Sequence, residues 1–317
     1  MRKTFAVAVA AVLALVVLLP RSATCAAADK IELRFRFEEG KSYKLTVTMK
    51  QEIVQWLNGE EQETAHTMSI GETLNVKDVD EAGTATVEVT FGPISVKMKG
   101  PMGTIEYNSD DPPDEVALPA KAFAAMLGQG FTLKMTPTGR VTDIQGVDKM
   151  FEAIFEAIDI PEGPMMDSVA EGLKQQFGDE ALKEMMEKMT AVFPDKPVAI
   201  GDSWSQKVTL ATGFPAIMEN TWTLADRKDG VATINVESTF KPNPEGEPMK
   251  IGPMTMRFRL KGSQKGTFKL DEATGWFVEG ELTQKMAGDV TMKGMPGQTE
   301  EMTVPMTIET VMKFESK

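Results

Sequence analysis

The sequence predicts an α+β protein, in which two related β units form a large curved antiparallel β-sheet and a helical group packs on its apolar face. Three observations predict this fold. Most of the chain after residue 28 alternates apolar and polar residues at a period of two, which is typical of half-buried strands. One central region instead carries apolar residues at helical spacing. Short motifs also recur in the same order before and after that region.

Alternation locates the strands. In the first part of the chain, the sets that share one face are Ile31, Leu33, Phe35 and Phe37; Tyr43, Leu45, Val47 and Met49; Met68, Ile70, Leu74 and Val76; and Val87, Val89 and Phe91. Near the C-terminus they are Met254, Met256, Phe258 and Leu260, then Met302, Val304, Met306, Ile308, Met312 and Phe314. Pro305 predicts an edge strand or a bulge in the last run, because proline cannot donate a backbone hydrogen bond.

Helical spacing is clearest between Val147 and Ile158, where apolar residues recur at i, i+3, i+4, i+7, i+8 and i+11. Further helices are predicted at about 119–127, 165–177 and 180–192, with Asp179 as the N-cap of the last. Residues 147–192 therefore form the predicted helical group that covers the apolar face of the sheet.

A weak internal repeat flanks this helical group. "GKSYKLTV" from Gly40 resembles "GDSWSQKV" from Gly201, and "VDEAGTATVEVTF" resembles "RKDGVATINVESTF". "GFTLKMTPTGRVTDIQGV" also resembles "GTFKLDEATGWFVEGEL", where each stretch reads as two strands joined by a Thr-Gly turn. Since all three pairs keep their order, we expect one domain, 29–317, with a β unit at 29–146, the helical group at 147–192 and a second β unit at 193–317.

Residues 1–28 have the pattern of a signal peptide: a basic start, a short apolar run and an Ala-rich boundary. The prediction is an exported protein, periplasmic or extracellular, without a transmembrane segment after cleavage. The context before Cys25, the only cysteine, disfavours lipid attachment there. Removing three basic residues with the signal leaves 31 basic against 47 acidic residues, a balance of −16. This charge disfavours nucleic acid as a partner.

No catalytic residue is predicted. Gly201-Asp202-Ser203-Trp204 differs by one residue from the GDSL signature of serine esterases, but a serine nucleophile needs an adjacent base. The only histidine, His66, lies upstream, and the motif recurs in altered form at Gly40. Ser203 therefore indicates the start of a strand. An acid pair of the glycosidase type leaves no sequence signature, so a cell-surface hydrolase stays open as the alternative function.

No metal site or cofactor is predicted either. A lone histidine without cysteine partners is a poor metal ligand set. The acidic loop at 108–115 is typical of a solvated turn, and the stretch 77–84 lacks the carboxylates of a calcium loop. Met185, Met186 and Met189 could be read as soft copper ligands, but they follow the spacing of a helix core.

Methionine is the unusual feature of the composition, with 23 residues. Flexible thioether side chains suit ordinary gap-filling cores, and they also suit surfaces that accept ligands of varied shape. The second interpretation predicts an apolar cavity between the helices and the methionine-rich strands. It would bind a lipid or another hydrophobic ligand through Met186, Met189, Met256, Met306 and Phe314.

"FTLKMTPTGRVTDIQGV", "FPDKPVAIGDSW" and "DEATGWFVEGEL" together resemble an uncharacterised family of exported bacterial proteins, the domain of unknown function 6263. That family carries no assigned catalytic residues. A looser likeness at the level of fold is to periplasmic carriers of lipoproteins and lipids, whose curved sheet holds acyl chains beneath a helical lid. Together these features favour a non-enzymatic envelope or binding protein.

Overall fold

The computed structural model describes residues 29–57, 59–101, 103–158, 178–179, 182–183, 186, 193–210, 215–251, 254–294 and 300–317. In the first half these residues form β1 (Ser42–Leu57), β2 (Glu60–Val79), β3 (Ala85–Gly100), β4 (Gly103–Asn108), α1 (Leu118–Met126), β5 (Gly130–Met135), β6 (Val141–Gln145) and α2 (Val147–Ile158). In the second half they form β7 (Ser203–Leu210), β8 (Ala216–Lys228), β9 (Val231–Pro242), β10 (Met249–Ile251), β11 (Met254–Asp271), β12 (Phe277–Lys293) and β13 (Met302–Ser316).

All thirteen described strands belong to one antiparallel sheet, which confirms the predicted sheet type. Its order is β6-β5-β3-β2-β1-β13-β12-β11-β9-β8-β7, with β4 paired to β3 and β10 paired to β11. The first half of the chain runs outward from β1 to β6, whereas the second half runs inward from β7 to β12. The C-terminal strand β13 then lies between β12 and β1 and joins the two halves.

The sheet curves around the larger of the two hydrophobic clusters that its described residues form, and a smaller cluster of Ile94, Val96, Tyr107 and Ala120 lies at α1. Buried side chains from β5 and β6, such as Leu133 and Ile144, belong to the same cluster as Trp222 and Leu224 from β8, near the opposite edge. Since side chains from both ends of the sheet order meet in one cluster, the sheet must bend towards it. We call the side that carries this cluster the inner face.

Two glycines of β11 allow close approach of the backbones where the sheet bends. A Cβ atom on Gly262 would overlap the carbonyl oxygen of Lys285, and one on Gly266 would overlap that of Glu281, both in the paired strand β12. Glycines at such positions let strands coil strongly, which is how large antiparallel sheets acquire curvature.

The segment before β1 corrects one sequence prediction. Residues 31–37 were predicted as a strand, but only Ile31 forms a bridge, to Val198. The alternating apolar residues are nevertheless buried: Leu33, Phe35 and Phe37 are 2%, 5% and 8% exposed. Their backbone bonds go to turns instead, with Phe35 N–H donating to the Pro137 carbonyl at 2.8 Å. The segment therefore seals one end of the core as an extended strap.

An aromatic cluster forms the floor of the inner face at that end. Trp276, which lies in the turn before β12, has its ring centroid 6.1 Å from Phe35, 6.0 Å from Phe37 and 5.1 Å from Tyr43. Its indole Nε1–H donates to Ser316 Oγ at 3.0 Å, which ties the floor to β13. Trp276 is 7% exposed, so its ring contributes to stability mainly through burial.

The helices α1 and α2 lie within one residue of their predicted bounds, and Val147, Met150 and Ile154 of α2 are buried in the core. The predicted helix at 165–177, and most of the one at 180–192, lie outside the described residues. Asp179 has a different role from the predicted one. Its carboxylate accepts hydrogen bonds from the backbone N–H groups of Gly146 and Val147, at 3.3 and 2.7 Å, and so caps α2.

Pro305 lies in a part of β13 that has a partner strand on one side only, as a residue of an edge strand does, and no bulge accompanies it. The strand β13 is central, and no register shift interrupts its ladders with β1 and β12. Proline is tolerated because the β1 ladder ends at Met306, which pairs with Gln55. Pro305 lies just beyond that end, so its missing N–H breaks no bond to β1.

Candidate hydrophobic ligand site on the inner face

The inner face continues beyond the core as a broad apolar surface along the long central strands. Strand alternation and register place apolar side chains on this face in successive cross-strand rows. Many of these side chains are only half-buried, unlike the core cluster: Leu45, Val47, Met49, Met68, Ile70, Met312 and Phe314. A half-buried apolar surface of this length is a feature of binding surfaces.

Four of the five predicted ligand-binding residues lie among the described residues. Phe314 and Met186 pack against the core cluster. Met306 lies on the same face of β13 but eight residues from Phe314, or about 27 Å along the strand. Met256 lies still further from the core, beside Met292. Met189 lies outside the described residues. The structure therefore brings two of the predicted residues to the core and spreads the others along one face.

Methionines form a row at the far end of this face. The register aligns Met249 of β10, Met256 of β11, Met292 of β12 and Met302 of β13 in consecutive strands, and all four are half-buried. Side chains directly opposite each other in neighbouring strands lie within contact distance. The row thus forms a continuous thioether surface, which is flexible and polarisable.

A hollow of about 630 Å³ lies between this row and the core, at β9, β11, β12 and β13. Its lining includes four inward residues, Phe240, Gly262, Met286 and Ile308, which pair with one another in register. The other eight lining residues lie beside them at outward positions of the same strands, and they include Lys241, Lys261, Lys285 and Glu309. Because Gly262 has no side chain, the surface dips between its larger neighbours. The volume falls within the range of small-molecule sites, about 300–1,000 Å³.

A row of polar side chains crosses the otherwise apolar inner face on the core side of this hollow. In sheet order it consists of Gln206, Asn220, Ser238, Gln264, Gln284, Thr310, Gln51 and His66. Gln284 Nε2 donates to Gln264 Oε1 at 3.4 Å, and Gln51 Nε2 donates to Thr310 Oγ1 at 3.2 Å. We call this set the polar row.

One carboxyl group, that of Glu72, also lies on the inner face. It pairs with Leu45 on one side and Phe91 on the other, and it lies between Ile70 and Leu74 along β2. Burial in these apolar surroundings raises the pKa of Glu72 above the ordinary value of 4.5. A carboxyl group that is easily protonated is more compatible with a hydrophobic ligand than a permanent charge.

The Glu72 carboxyl predicts a pH-dependent stability. A raised pKa means that the folded state holds its proton more tightly than the unfolded state, so stability falls as pH rises from 4.5 through the raised value. Glu72→Gln should therefore raise the unfolding temperature at pH 8 and change it little at pH 4. Thermal unfolding of both proteins at the two pH values checks this. Glu63→Gln, on the exposed side of β2, controls for net charge, and an equal gain for Glu72→Gln at both pH values would contradict the prediction.

The Ser203 hydroxyl has no catalytic arrangement around it. Its Oγ shares a hydrogen bond with Thr223 Oγ1 at 2.8 Å, on the outer face at the start of β7. His66 lies on the inner face of β2, and so on the opposite side of the sheet. Among the described residues no group of three or more His, Cys, Asp or Glu side chains could hold a metal ion.

Two acidic side chains, Glu272 and Asp29, lie close together because both interact with Arg227. Arg227 binds Glu272 through two hydrogen bonds, Nε–Oε1 at 2.8 Å and Nη2–Oε2 at 3.0 Å, and its Nη1 lies 3.5 Å from Asp29 Oδ2. The hydrogen bond from Arg227 lowers the pKa of the Glu272 carboxyl. A general acid needs the opposite shift, so this cluster joins turns and does not indicate hydrolysis. The hydrolase alternative stays a prediction.

Comparison with known proteins identifies the family. The profile of a family of unknown function, DUF6263, matches residues 82–277. The chain belongs to this family. The matched region runs from the β2–β3 turn to the start of β12, so it includes strands from both halves of the sheet but not β1, β2 or β13. No curated protein matches the chain in sequence.

Solved structures resemble this DUF6263 member only distantly. A lipovitellin structure, titled for its lipid–protein interactions, has 8% sequence identity and a TM-score of 0.45. The match covers 89% of this chain and 25% of lipovitellin, so the chain spans about a quarter of that protein's length. Pseudomonas aeruginosa OpdQ has 8% identity and a TM-score of 0.17, over 87% of this chain and 99% of its own. Acinetobacter baumannii OccAB3 has 7% identity and a TM-score of 0.21, over 87% and 100%.

Within the described residues of this DUF6263 protein, none of the helices combines the length and apolar character needed to span a bilayer.

Sequence reasoning missed the polar row. All members except Gln264, which lies between Gly262 and Gly266, have an inward apolar neighbour two residues away, as Gln51 has in Met49 and Ile53. The local signal is therefore present in each strand of the row except β11. Only the pairing register shows that these positions align across the sheet.

Proposed function

We propose that this protein is an exported, non-enzymatic binding protein of the cell envelope that holds a hydrophobic ligand along the inner face of its sheet. The observation that carries the proposal is the run of half-buried apolar side chains along β1, β2 and β13, from Leu45 and Phe314 to Ile53 and Ile308. A surface with this shape suits an extended acyl chain better than a compact, rigid ligand.

The chemistry of the face supports the same ligand class. Methionine supplies the apolar surface at both Met49 and Met312, which pair with Met68 and Leu282 respectively. Methionine side chains adapt to ligands that differ in length and branching. The hollow beside Gly262 supplies room for a bulkier part of the ligand.

We also propose that the sheet arose from two related β units, 29–146 and 193–317. Matching hydrogen bonds at the two Gly-x-Ser-aromatic motifs support this. Gly40 N–H donates to the Val76 carbonyl at 2.9 Å, and Gly201 N–H donates to the Leu224 carbonyl at 2.7 Å. In return, Val76 N–H donates to Lys41 and Leu224 N–H donates to Asp202.

Matching irregularities support the two units as well. The register shifts after Val76 in β2 and after Leu224 in β8, each time just before the hairpin turn. It also shifts after Lys134 in β5 and after Lys269 in β11, before the two Thr-Gly turns. Bulges are specific local features, so their recurrence at equivalent positions favours a common ancestor for the two halves.

Ligand binding can be tested with diphenylhexatriene, a hydrocarbon fluorophore that becomes bright in apolar sites. We expect the full chain to bind it, and we expect Met49→Trp to weaken binding at least about tenfold, because the larger ring fills the inner face where the ligand lies. Fluorescence titration measures the effect. Mass spectrometry of lipids that copurify with the native protein gives an independent readout.

The matched control is Lys50→Trp, which places the same ring on the outer face of β1. It should bind diphenylhexatriene like the unaltered protein. Absence of binding and of copurified lipid in the unaltered protein, or equal binding by Met49→Trp, would contradict the proposed function.

A further inference from the structure

The polar row is an unexpected feature of a hydrophobic binding face. Its eight residues lie in eight consecutive strands of the described sheet, from Gln206 of β7 to His66 of β2. At the ordinary strand spacing the row is about 34 Å long. The inward rows on either side are apolar at the centre, with Met312 and Leu282 towards the core and Ile308 and Met286 towards the hollow.

The hydrogen-bonding capacity of the three central glutamines, Gln51, Gln264 and Gln284, exceeds what they use among the described residues. Each carboxamide can make about four hydrogen bonds. In the described part of the chain, Gln284 and Gln264 share one, and Gln51 makes one to Thr310. Ser238 is 3% exposed, and its Oγ is buried without a hydrogen-bond partner among the described residues. The glutamines, in contrast, are only half-buried, so their remaining donors and acceptors can hydrogen-bond to a polar group that binds on this face.

The polar row also lies in a part of the inner face without acidic residues, lysines or arginines among the described residues. Among the described residues, neither the row nor the two adjoining inward rows carry Lys, Arg, Asp or Glu. A phosphate or carboxylate group that left water here would meet no lysine or arginine side chain, which is costly. Among the described residues of these rows, only the imidazole of His66, beside Gln51 at the β2 end, can carry a positive charge. Carboxamide and hydroxyl side chains can instead form hydrogen bonds with uncharged ligand groups that both donate and accept hydrogen bonds.

We infer that the polar row binds the uncharged polar head of a lipid, one whose ester, amide or hydroxyl groups hydrogen-bond to Gln51, Gln264 and Gln284. This inference rests on the proposed function. The three glutamines are half-buried and lie at the centre of the row, on β1, β11 and β12.

The test compares two lipids that share an oleoyl chain but differ in their heads. Monoolein carries an uncharged glycerol ester and oleate carries a carboxylate. Each is titrated against protein loaded with diphenylhexatriene, which has no polar group. We expect monoolein to displace the fluorophore at a concentration about tenfold lower than oleate, since an unmatched polar group costs the equivalent of that factor.

The variant Gln51→Met/Gln284→Met keeps side-chain size and removes the amides. Its own affinity for diphenylhexatriene is titrated first, and its preference for monoolein over oleate should fall to less than about twofold. Gln264→Met gives a milder second variant if the double variant does not fold. The control, Lys50→Leu/Thr283→Leu, changes outward residues of the same two strands and should keep the tenfold preference.

The outcomes separate the two ideas. If the unaltered protein binds diphenylhexatriene but takes oleate and monoolein equally, or if the double variant keeps the preference, the role of the polar row is wrong and hydrophobic binding stands. If the unaltered protein binds neither the fluorophore nor either lipid, the proposed function fails and the inference fails with it.

Discussion

Trp276→Ala should destabilise the protein by about 3–5 kcal/mol, the usual cost of removing a buried tryptophan ring. The ring contacts Phe35, Phe37 and Tyr43, and its Nε1–H donates to Ser316 Oγ. Truncation would open a cavity in the floor and leave the strap before β1 without its main contact. Urea unfolding followed by circular dichroism measures the change in the free energy of unfolding.

Two further variants make this result specific. Trp276→Phe keeps an aromatic ring and should lose clearly less than the alanine variant. Val278→Ala, two residues along the chain, removes a side chain that is 38% exposed and should change stability by no more than about 0.5 kcal/mol. A loss for Trp276→Ala no greater than that of Val278→Ala would show that the aromatic floor is unimportant for stability.

Gly266→Ala should cost about 3 kcal/mol, which is large for the addition of one methyl group. The new Cβ would overlap the Glu281 carbonyl oxygen and lie 2.8 Å from Leu282 Cα, both in the backbone of β12. Because backbone in the middle of a ladder cannot swing aside, β11 and β12 would have to separate or flatten. Thermal and urea unfolding of the variant measure the loss.

Gly100→Ala provides the matched control for this substitution. A Cβ at Gly100 would meet Thr64 Cγ2 at 3.5 Å, an ordinary van der Waals contact. The variant should stay within about 0.5 kcal/mol of the unaltered protein. Equal stability of the two alanine variants would mean that β11 tolerates a side chain at Gly266, and the account of sheet curvature would then be wrong.

Local patterns in the sequence were sufficient for much of the fold. The alternation from Tyr43 to Met49 and from Met302 to Phe314 predicts both the strands and their inward faces, since side chains of a strand must alternate. The helical spacing from Val147 to Ile158 likewise predicts α2. These predictions succeed because they depend on backbone sterics and on burial of one face, which nearby residues determine.

Predictions failed where a partner distant in the chain decided the outcome. Leu33, Phe35 and Phe37 alternate like a strand, but their neighbours are the turns at Pro137 and Thr274, so they form a strap. Asp179 caps a helix that begins 32 residues earlier in the chain.

For the candidate site too, some features follow from the sequence and others only from the tertiary structure. The sequence by itself determined that this chain has long two-faced strands, a methionine-rich apolar face and no serine–histidine pair at Ser203. Only the tertiary structure decided that Gln51, Gln264 and Gln284 lie in one row and that Phe314 and Met256 lie far apart. The physical reason is that the face of a residue follows from its own strand, whereas its neighbours across the sheet follow from register, which is fixed by pairing between distant segments.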